Sequence, residues 1–254
     1  MKRRSLLKSL LGAIVINVVS TSEAGAVTWG YRGKTGAEFW GEIDLEYRLC
    51  SSGKAQSPID LPTNMDLASD ISNLKFNYRD TPLAIINNGR TIRVDYQPGS
   101  SITLDGRVYE LLQFHFHQPS EHLILGEAAK MEAHFVHKNQ DKGELVVLAV
   151  LMREGEANQA LDAILQNIPQ FSDRSFPGSN LTINALQLLP ENTNRYYRYR
   201  GSLTTPPCSE TVTWLILKQP IEVSKLQIAR FLATIGTNAR PVQALNQRSV
   251  SELN

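Results

Sequence analysis

All five histidines of this 254-residue chain fall between positions 115 and 137, and three sit in segments that alternate like β-strands. In Gln113-Phe114-His115-Phe116-His117, polar and aromatic residues take turns. A strand sends successive side chains to opposite faces, so His115 and His117 share one face while Phe114 and Phe116 share the other. The aromatic face has to meet an apolar layer. Glu132-Ala133-His134-Phe135-Val136-His137 repeats the pattern, with Glu132, His134 and Val136 on one face. If the two strands are neighbours, His134 joins His115 and His117, and water takes the fourth tetrahedral position. That is the ligand count of a zinc ion that makes a nucleophile from water. Strands suit such a site because ligand geometry must hold within a fraction of an ångström. Histidines hydrogen-bonded in a core are the plainer alternative, and His-x-His alone recurs in other metallohydrolases. His137 lies three positions beyond His134 and faces the other way; it and His122 read as structural.

The rest of the chain is built for a β-dominated single domain. Turn signals recur at Asn88-Gly89, Pro98-Gly99, Asp105-Gly106, Lys142-Gly143 and Pro177-Gly178. Between them lie short runs of β character at 83–86, 91–96, 108–117, 133–137, 145–152 and 211–218. Residues 145–151 are apolar nearly throughout, as a central strand covered on both faces should be. Two segments read as helices. Residues 157–168 place Leu161, Ile164, Leu165 and Ile168 on one face before Pro169. Residues 223–235 offer Ser224 as N-cap and Leu226, Ala229, Leu232 and Ile235 as apolar face, with Gly236 following.

The N-terminus reads as an export signal over residues 1–26. Lys2-Arg3-Arg4 is basic, Leu10 to Val19 is an apolar run too short to span a bilayer, and Ala24-Gly25-Ala26 is a small-residue cleavage site. Arg3-Arg4-Ser-Leu-Leu-Lys fits a twin-arginine signal, with an ordinary secretory signal as the alternative. A start near Val27 leaves 22 basic against 24 acidic residues, a balance that gives no support for nucleic-acid binding. No later segment is apolar enough to span a membrane, and no feature speaks to oligomeric state. An exported chain with only Cys50 and Cys208 favours a disulfide over two free buried thiols. Periplasm, extracellular space and a lumen all fit.

Several stretches together resemble the alpha-class carbonic anhydrases. They are Trp29-Gly30-Tyr31, Gln56-Ser57-Pro58-Ile59, Asn87-Asn88-Gly89, QFHFHQPSEH (113–122), MEAHFVH (131–137), LAVL (148–151), GSLTTPPCSETVTW (201–214) and Asn238-Ala239-Arg240-Pro241. They follow family order across essentially all of residues 27–254. The resemblance implies a twisted, mostly antiparallel central sheet with short peripheral helices and a few parallel pairs. It implies reversible hydration of CO2 to bicarbonate and a proton, with Zn2+ on His115, His117 and His134. Thr204 would accept a hydrogen bond from the hydroxide and pass one to Glu121, and Thr205 would position deep water or bicarbonate. Gln113 and Glu132 would hold the free ring nitrogens of His115 and His134. A carbonyl at Asn238 would do so for His117. Val136, Val150, Leu203 and Trp214, with Leu148 behind them, would wall an apolar CO2 pocket. Cys50–Cys208 matches a disulfide of exported members.

One position departs from the family. After Asn87-Asn88-Gly89 the fastest members carry a histidine that shuttles protons, and here Arg90 stands there. Arginine does not cycle protons near neutral pH. The expectation is an enzyme whose proton release depends on external buffer, with Arg90 and Arg93 making the mouth more positive. Ester hydrolysis at the same zinc is a weaker enzyme reading, and a non-catalytic binding module a different one. Tyr31 with ordered water, or a carboxylate at the rim, is the alternative shuttle.

Overall fold

The structure, a computed structural model, describes residues 28–62, 66–67, 74–169, 174–176 and 180–253. The leader read over residues 1–26 and the start at Val27 lie outside the described residues.

Among the described residues, twelve strands form one sheet that makes the body. Its middle runs, in spatial order, through strands Ala84–Asn87, Ile92–Asp95, Arg107–His117, Met131–Lys138, Leu145–Glu154, Val212–Val223, Tyr196–Gly201 and Ser251–Leu253. Neighbours in that series are antiparallel except Leu145–Glu154 with Val212–Val223, which are parallel. Parallel neighbours need a long crossover; here it carries the helix Gln159–Gln166 and the strand Tyr196–Gly201.

Leu145–Glu154 explains its own sequence. Val146, Leu148, Val150 and Met152 enter one buried layer, while Val147, Ala149 and Leu151 enter another. A strand covered on both faces has no reason to alternate with polar residues. The larger layer holds Phe114, Phe116 and Phe135, the aromatic face predicted from the alternation, and Phe116 meets Phe231 of the last helix at 5.1 Å between ring centroids. The smaller layer, around Ile59, Trp214 and Ile216, lies on the histidine face.

The two expected helices are present but shorter, at Gln159–Gln166 and Lys225–Ile235. Asn158 caps the first, its side chain accepting from Leu161 N–H. Ser224 caps the second in a reciprocal box with Gln227. The expected apolar face of the second helix is corrected. Leu226 and Leu232 are 69% and 44% exposed, and Gln227 and Phe231 are the buried pair. Phe231 is the larger apolar anchor. Gln227 is drawn inward because its amide donates to the Asn158 carbonyl at 2.7 Å and to Asp162 at 2.8 Å. Val223, read as the helix start, instead ends the strand Val212–Val223 and is buried. The strand Tyr196–Gly201 was not anticipated; its residues alternate basic with aromatic and no turn dipeptide announces it.

Candidate metal centre

Register assembles the three histidines. His134 lies directly across from His115, and Glu132 across from His117. The ring centroids are 4.5 to 5.3 Å apart, and one ring nitrogen from each histidine lies within 4.8 Å of the others.

Each remaining nitrogen faces an oxygen, which only accepts, and this fixes each tautomer. His115 Nδ1 donates to Gln113 Oε1 at 2.9 Å, His117 Nδ1 to the Asn238 carbonyl at 2.9 Å, and His134 Nε2 to Glu132 Oε1 at 2.8 Å. The bare nitrogens are therefore Nε2, Nε2 and Nδ1. His117 Nε2 is buried without a hydrogen-bond partner. An orphaned lone pair of this kind is costly, and a metal ion would satisfy it. Burial, reinforced by the neighbouring His117, His134 and Arg93, pushes His115 well below the usual imidazole range; burial also lowers His117. Neutral imidazoles are the form a metal requires.

Glu132 is the hub behind the three histidines. Its Oε1 also accepts from His122 Nδ1 at 2.7 Å, and its Oε2 accepts the backbone N–H groups of Glu121 and His122, both at 2.8 Å. Burial opposes its charge, yet the adjacent His122 and His134 and their hydrogen bonds hold it well below the usual carboxylate range. His122, Glu132 and His134 are within metal-ligand reach of one another, but they are hydrogen-bonded together and offer no second convergent site. From His122 the network continues. Nε2 lies 2.7 Å from Tyr199 Oη, Tyr199 Oη lies 2.8 Å from Ser57 Oγ, and Ser57 accepts the Ser202 N–H at 3.0 Å. Sequence reasoning missed Tyr199, Ser57 and Ser202 as partners of the site. The signal available was that Ser57 and Ser202 fall inside matched stretches.

Asn238 ties three segments. Its side chain accepts Gln118 N–H at 2.8 Å and donates to the carbonyls of Arg90 and Phe116, both at 2.9 Å. Glu121 is buried, and its Oε1 accepts the Arg240 N–H at 2.8 Å. Its Oε2 is buried without a hydrogen-bond partner, 3.9 Å from His134 Nδ1. No hydrogen bond joins Thr204 to Glu121 in the structure, so this oxygen is an open acceptor beside the histidine cluster. Thr204 is buried and Thr205 half-buried, in a turn closed by Leu203 N–H to the Ser209 carbonyl at 3.1 Å and Cys208 N–H to the Thr205 carbonyl at 2.9 Å. Cys50 and Cys208 form a disulfide that anchors this turn to the helix Leu49–Ser52. Arg240, its guanidinium lowered by burial to about 10, donates to the carbonyls of Cys50 and Ser57 and to Gln56.

A sequence model described as eukaryotic-type carbonic anhydrase matches residues 35–254. The chain belongs to that family. A carbonic anhydrase of Nostoc sp. is 44% identical over 259 residues, covering 98% of this chain and 97% of the relative. One from Neisseria gonorrhoeae is 43% identical over 226 residues, covering 88% and 87%. The solved structure of the alpha-carbonic anhydrase from Thermovibrio ammonificans, in complex with the inhibitor sulfanilamide, has a TM-score of 0.85 at 40% identity and covers 89% of this chain and all of that one.

Within this carbonic anhydrase fold, Val136, Leu203 and Trp214 lie in the layer on the histidine face, with the Trp214 ring 4.8 Å from that of His134. Val150 and Leu148 do not. They pair with Ala133 and Phe135 and join the opposite layer. His134 and Val136 pair with Ala149 and Val147, so Val147, not Val150, lies on the histidine face. Arg90 follows a turn in which Gly89 has φ 73° and Asn88 Oδ1 accepts from Arg90 and Thr91 N–H. The Arg90 Nε donates to the Trp29 carbonyl at 2.9 Å, and its guanidinium lies 4.5 Å from the Trp29 ring centroid.

Proposed function

We propose that this member of the family hydrates CO2 reversibly to bicarbonate and a proton, with zinc held by His115 Nε2, His117 Nε2 and His134 Nδ1. The observation that carries the reading is the convergence of three bare imidazole nitrogens, each fixed by an acceptor on its other side. Zinc in carbonic anhydrases lowers the pKa of its water to about 7 and so supplies hydroxide at neutral pH.

The chain's own residues aim and contain the reaction. Arg240 N–H fixes one oxygen of Glu121, leaving the other to accept the Thr204 hydroxyl proton. Thr204 would then present an oxygen able to accept a hydrogen bond from the hydroxide, and its backbone N–H would hold a substrate oxygen. Thr205 positions deep water or bicarbonate. Val136, Val147, Leu203 and Trp214 give neutral CO2 an apolar wall. The intact ligand set speaks against a non-catalytic binding module. The disulfide and the basic, apolar leader support export to an oxidising compartment; no helix among the described residues is long and apolar enough to cross a membrane.

Proton release is where this chain departs. Arg90 is fixed on Trp29. His122 and His137 are buried in hydrogen-bonded networks, and burial, with Glu121 nearby, pushes the Tyr31 phenol well above 10. Held in this way, none of these groups forms a relay from the site to solvent. Stopped-flow CO2 hydration should therefore climb with buffer concentration, and Arg90→His should flatten that dependence. A fast, buffer-insensitive rate in the unaltered protein would contradict the missing shuttle while leaving the enzyme reading intact.

A further inference from the structure

We propose that Arg93 and Asp95 form a charge pair in the wall of the metal site that sets its affinity for small monovalent oxyanions. Arg93 attracts the anion, and Asp95 holds Arg93 back. The inference rests on the reading that this site handles bicarbonate.

The strand Ile92–Asp95 has two faces. Ile92 and Val94 are fully buried in the larger core layer. Arg93 and Asp95 point the other way, with Arg93 directly across from His115 and Asp95 across from Gln113. Residues so paired on adjacent antiparallel strands lie about 5 Å apart on one face. The two charges therefore stand beside a metal ligand and beside the amide that orients it.

The pair is held by one hydrogen bond and one close ionic contact. Arg93 Nη2 donates to Asp95 Oδ2 at 3.3 Å, and Arg93 Nε, buried and without a hydrogen bond of its own, lies 2.8 Å from Oδ1. A guanidinium attracts a carboxylate strongly, and bicarbonate presents a similar planar pair of oxygens. Asp95 thus partly neutralises, from within the protein, the guanidinium that a bicarbonate would approach. The two side chains are 38% and 43% exposed, so solvent anions can compete for that guanidinium. Arg90 is not equivalent, because its Nε is bonded to the Trp29 carbonyl and its guanidinium covers the Trp29 ring. CO2 carries no net charge and gains little from either group. The pair would distinguish the two sides of the reaction by charge.

Isothermal titration with formate, a planar monovalent anion, on the zinc-loaded protein at low ionic strength tests this. Partial exposure of both side chains keeps the substitutions out of the core. Asp95→Asn should tighten formate binding about three- to ten-fold, and Arg93→Gln should weaken it about three-fold, the scale of one charge at this range in partly screened surroundings. In the Arg93→Gln background, Asp95→Asn should have less than half its effect, because nothing remains for it to release. Unchanged affinity in Asp95→Asn overturns the inference. Equal tightening in both backgrounds also overturns it, since Asp95 would then act as a bare charge. CO2 hydration by the unaltered preparation separates the two readings: an active enzyme whose formate affinity ignores both substitutions refutes the charge pair alone, whereas inactive zinc-loaded protein refutes the function beneath it.

Discussion

The strand Met131–Lys138 carries a buried histidine on each face, and the two have opposite roles. His134 gives one nitrogen to Glu132 and turns the other toward His115 and His117. His137 has both nitrogens engaged: Nε2 is 2.6 Å from Tyr78 Oη, Nδ1 donates to the Val146 carbonyl at 3.2 Å, and its ring stacks on Tyr78. Burial is common to both, so burial does not distinguish them. Only His134 lies on a face that supplies an acceptor for one nitrogen and brings two more imidazoles to the other. The same division runs through the neighbouring strands. One face closes on phenylalanines, and the other keeps unpaired lone pairs at its centre.

Breaking the site face should have the largest effect. His134→Ala should abolish stoichiometric zinc and cut kcat/KM for CO2 by at least about a thousandfold, since metal-activated water supplies most of the rate. His137→Gln should retain one zinc per chain by elemental analysis; loss of zinc there would erase the distinction between the two histidines. Glu132→Gln comes next. It orients His134 and holds His122 and two backbone N–H groups, so zinc affinity measured by chelator competition should fall about 10–100-fold.

The wall offers a finer comparison. Val147→Phe intrudes on the histidine face and should lower kcat/KM by about tenfold or more through lost access for CO2. Val150→Ala empties space on the other face; it should cost about 1–3 kcal/mol of stability in urea unfolding and change kcat/KM by no more than about twofold. Reversed results would put the pocket on the wrong side of Leu145–Glu154.

The last test reads no activity at all and is a pH signature. Burial pushes His137 from 6.5 to about 3 in the folded protein. The unfolded chain therefore binds a proton that the folded one refuses between these values. Stability from this group is present above pH 6.5 and is lost as pH falls toward 3, at about 1.4 kcal/mol per unit crossed. The stability difference between the unaltered protein and His137→Gln should thus shrink as pH falls from 7 to 4 in urea titrations. A constant difference would mean that His137 is not held neutral.

Much of the centre was legible because strand periodicity is local. His115, His117 and His134, and the helpers Gln113 and Glu132 two residues before two of them, follow from alternation and family pattern. The wall was not. An apolar run such as 145–151 carries no alternation, so only pairing with Met131–Lys138 decides that Val147 faces the site and Val150 does not. The Glu132–His122–Tyr199–Ser57 network joins residues up to 142 positions apart, and no local pattern announces it. Arg90 was visible as a departure, but its commitment to Trp29 depends on a fold that brings residues 61 apart together. The helix face failed because a buried glutamine with good partners outranked two leucines.

The most direct test of the account is a zinc titration into metal-free protein, following CO2 hydration by stopped flow at high buffer. Activity should rise linearly and stop at one zinc per chain, and His134→Ala should show no such rise. Full activity before zinc is added, or a fully zinc-loaded protein that hydrates no CO2, would contradict the claim that the histidine face is the engine of this molecule.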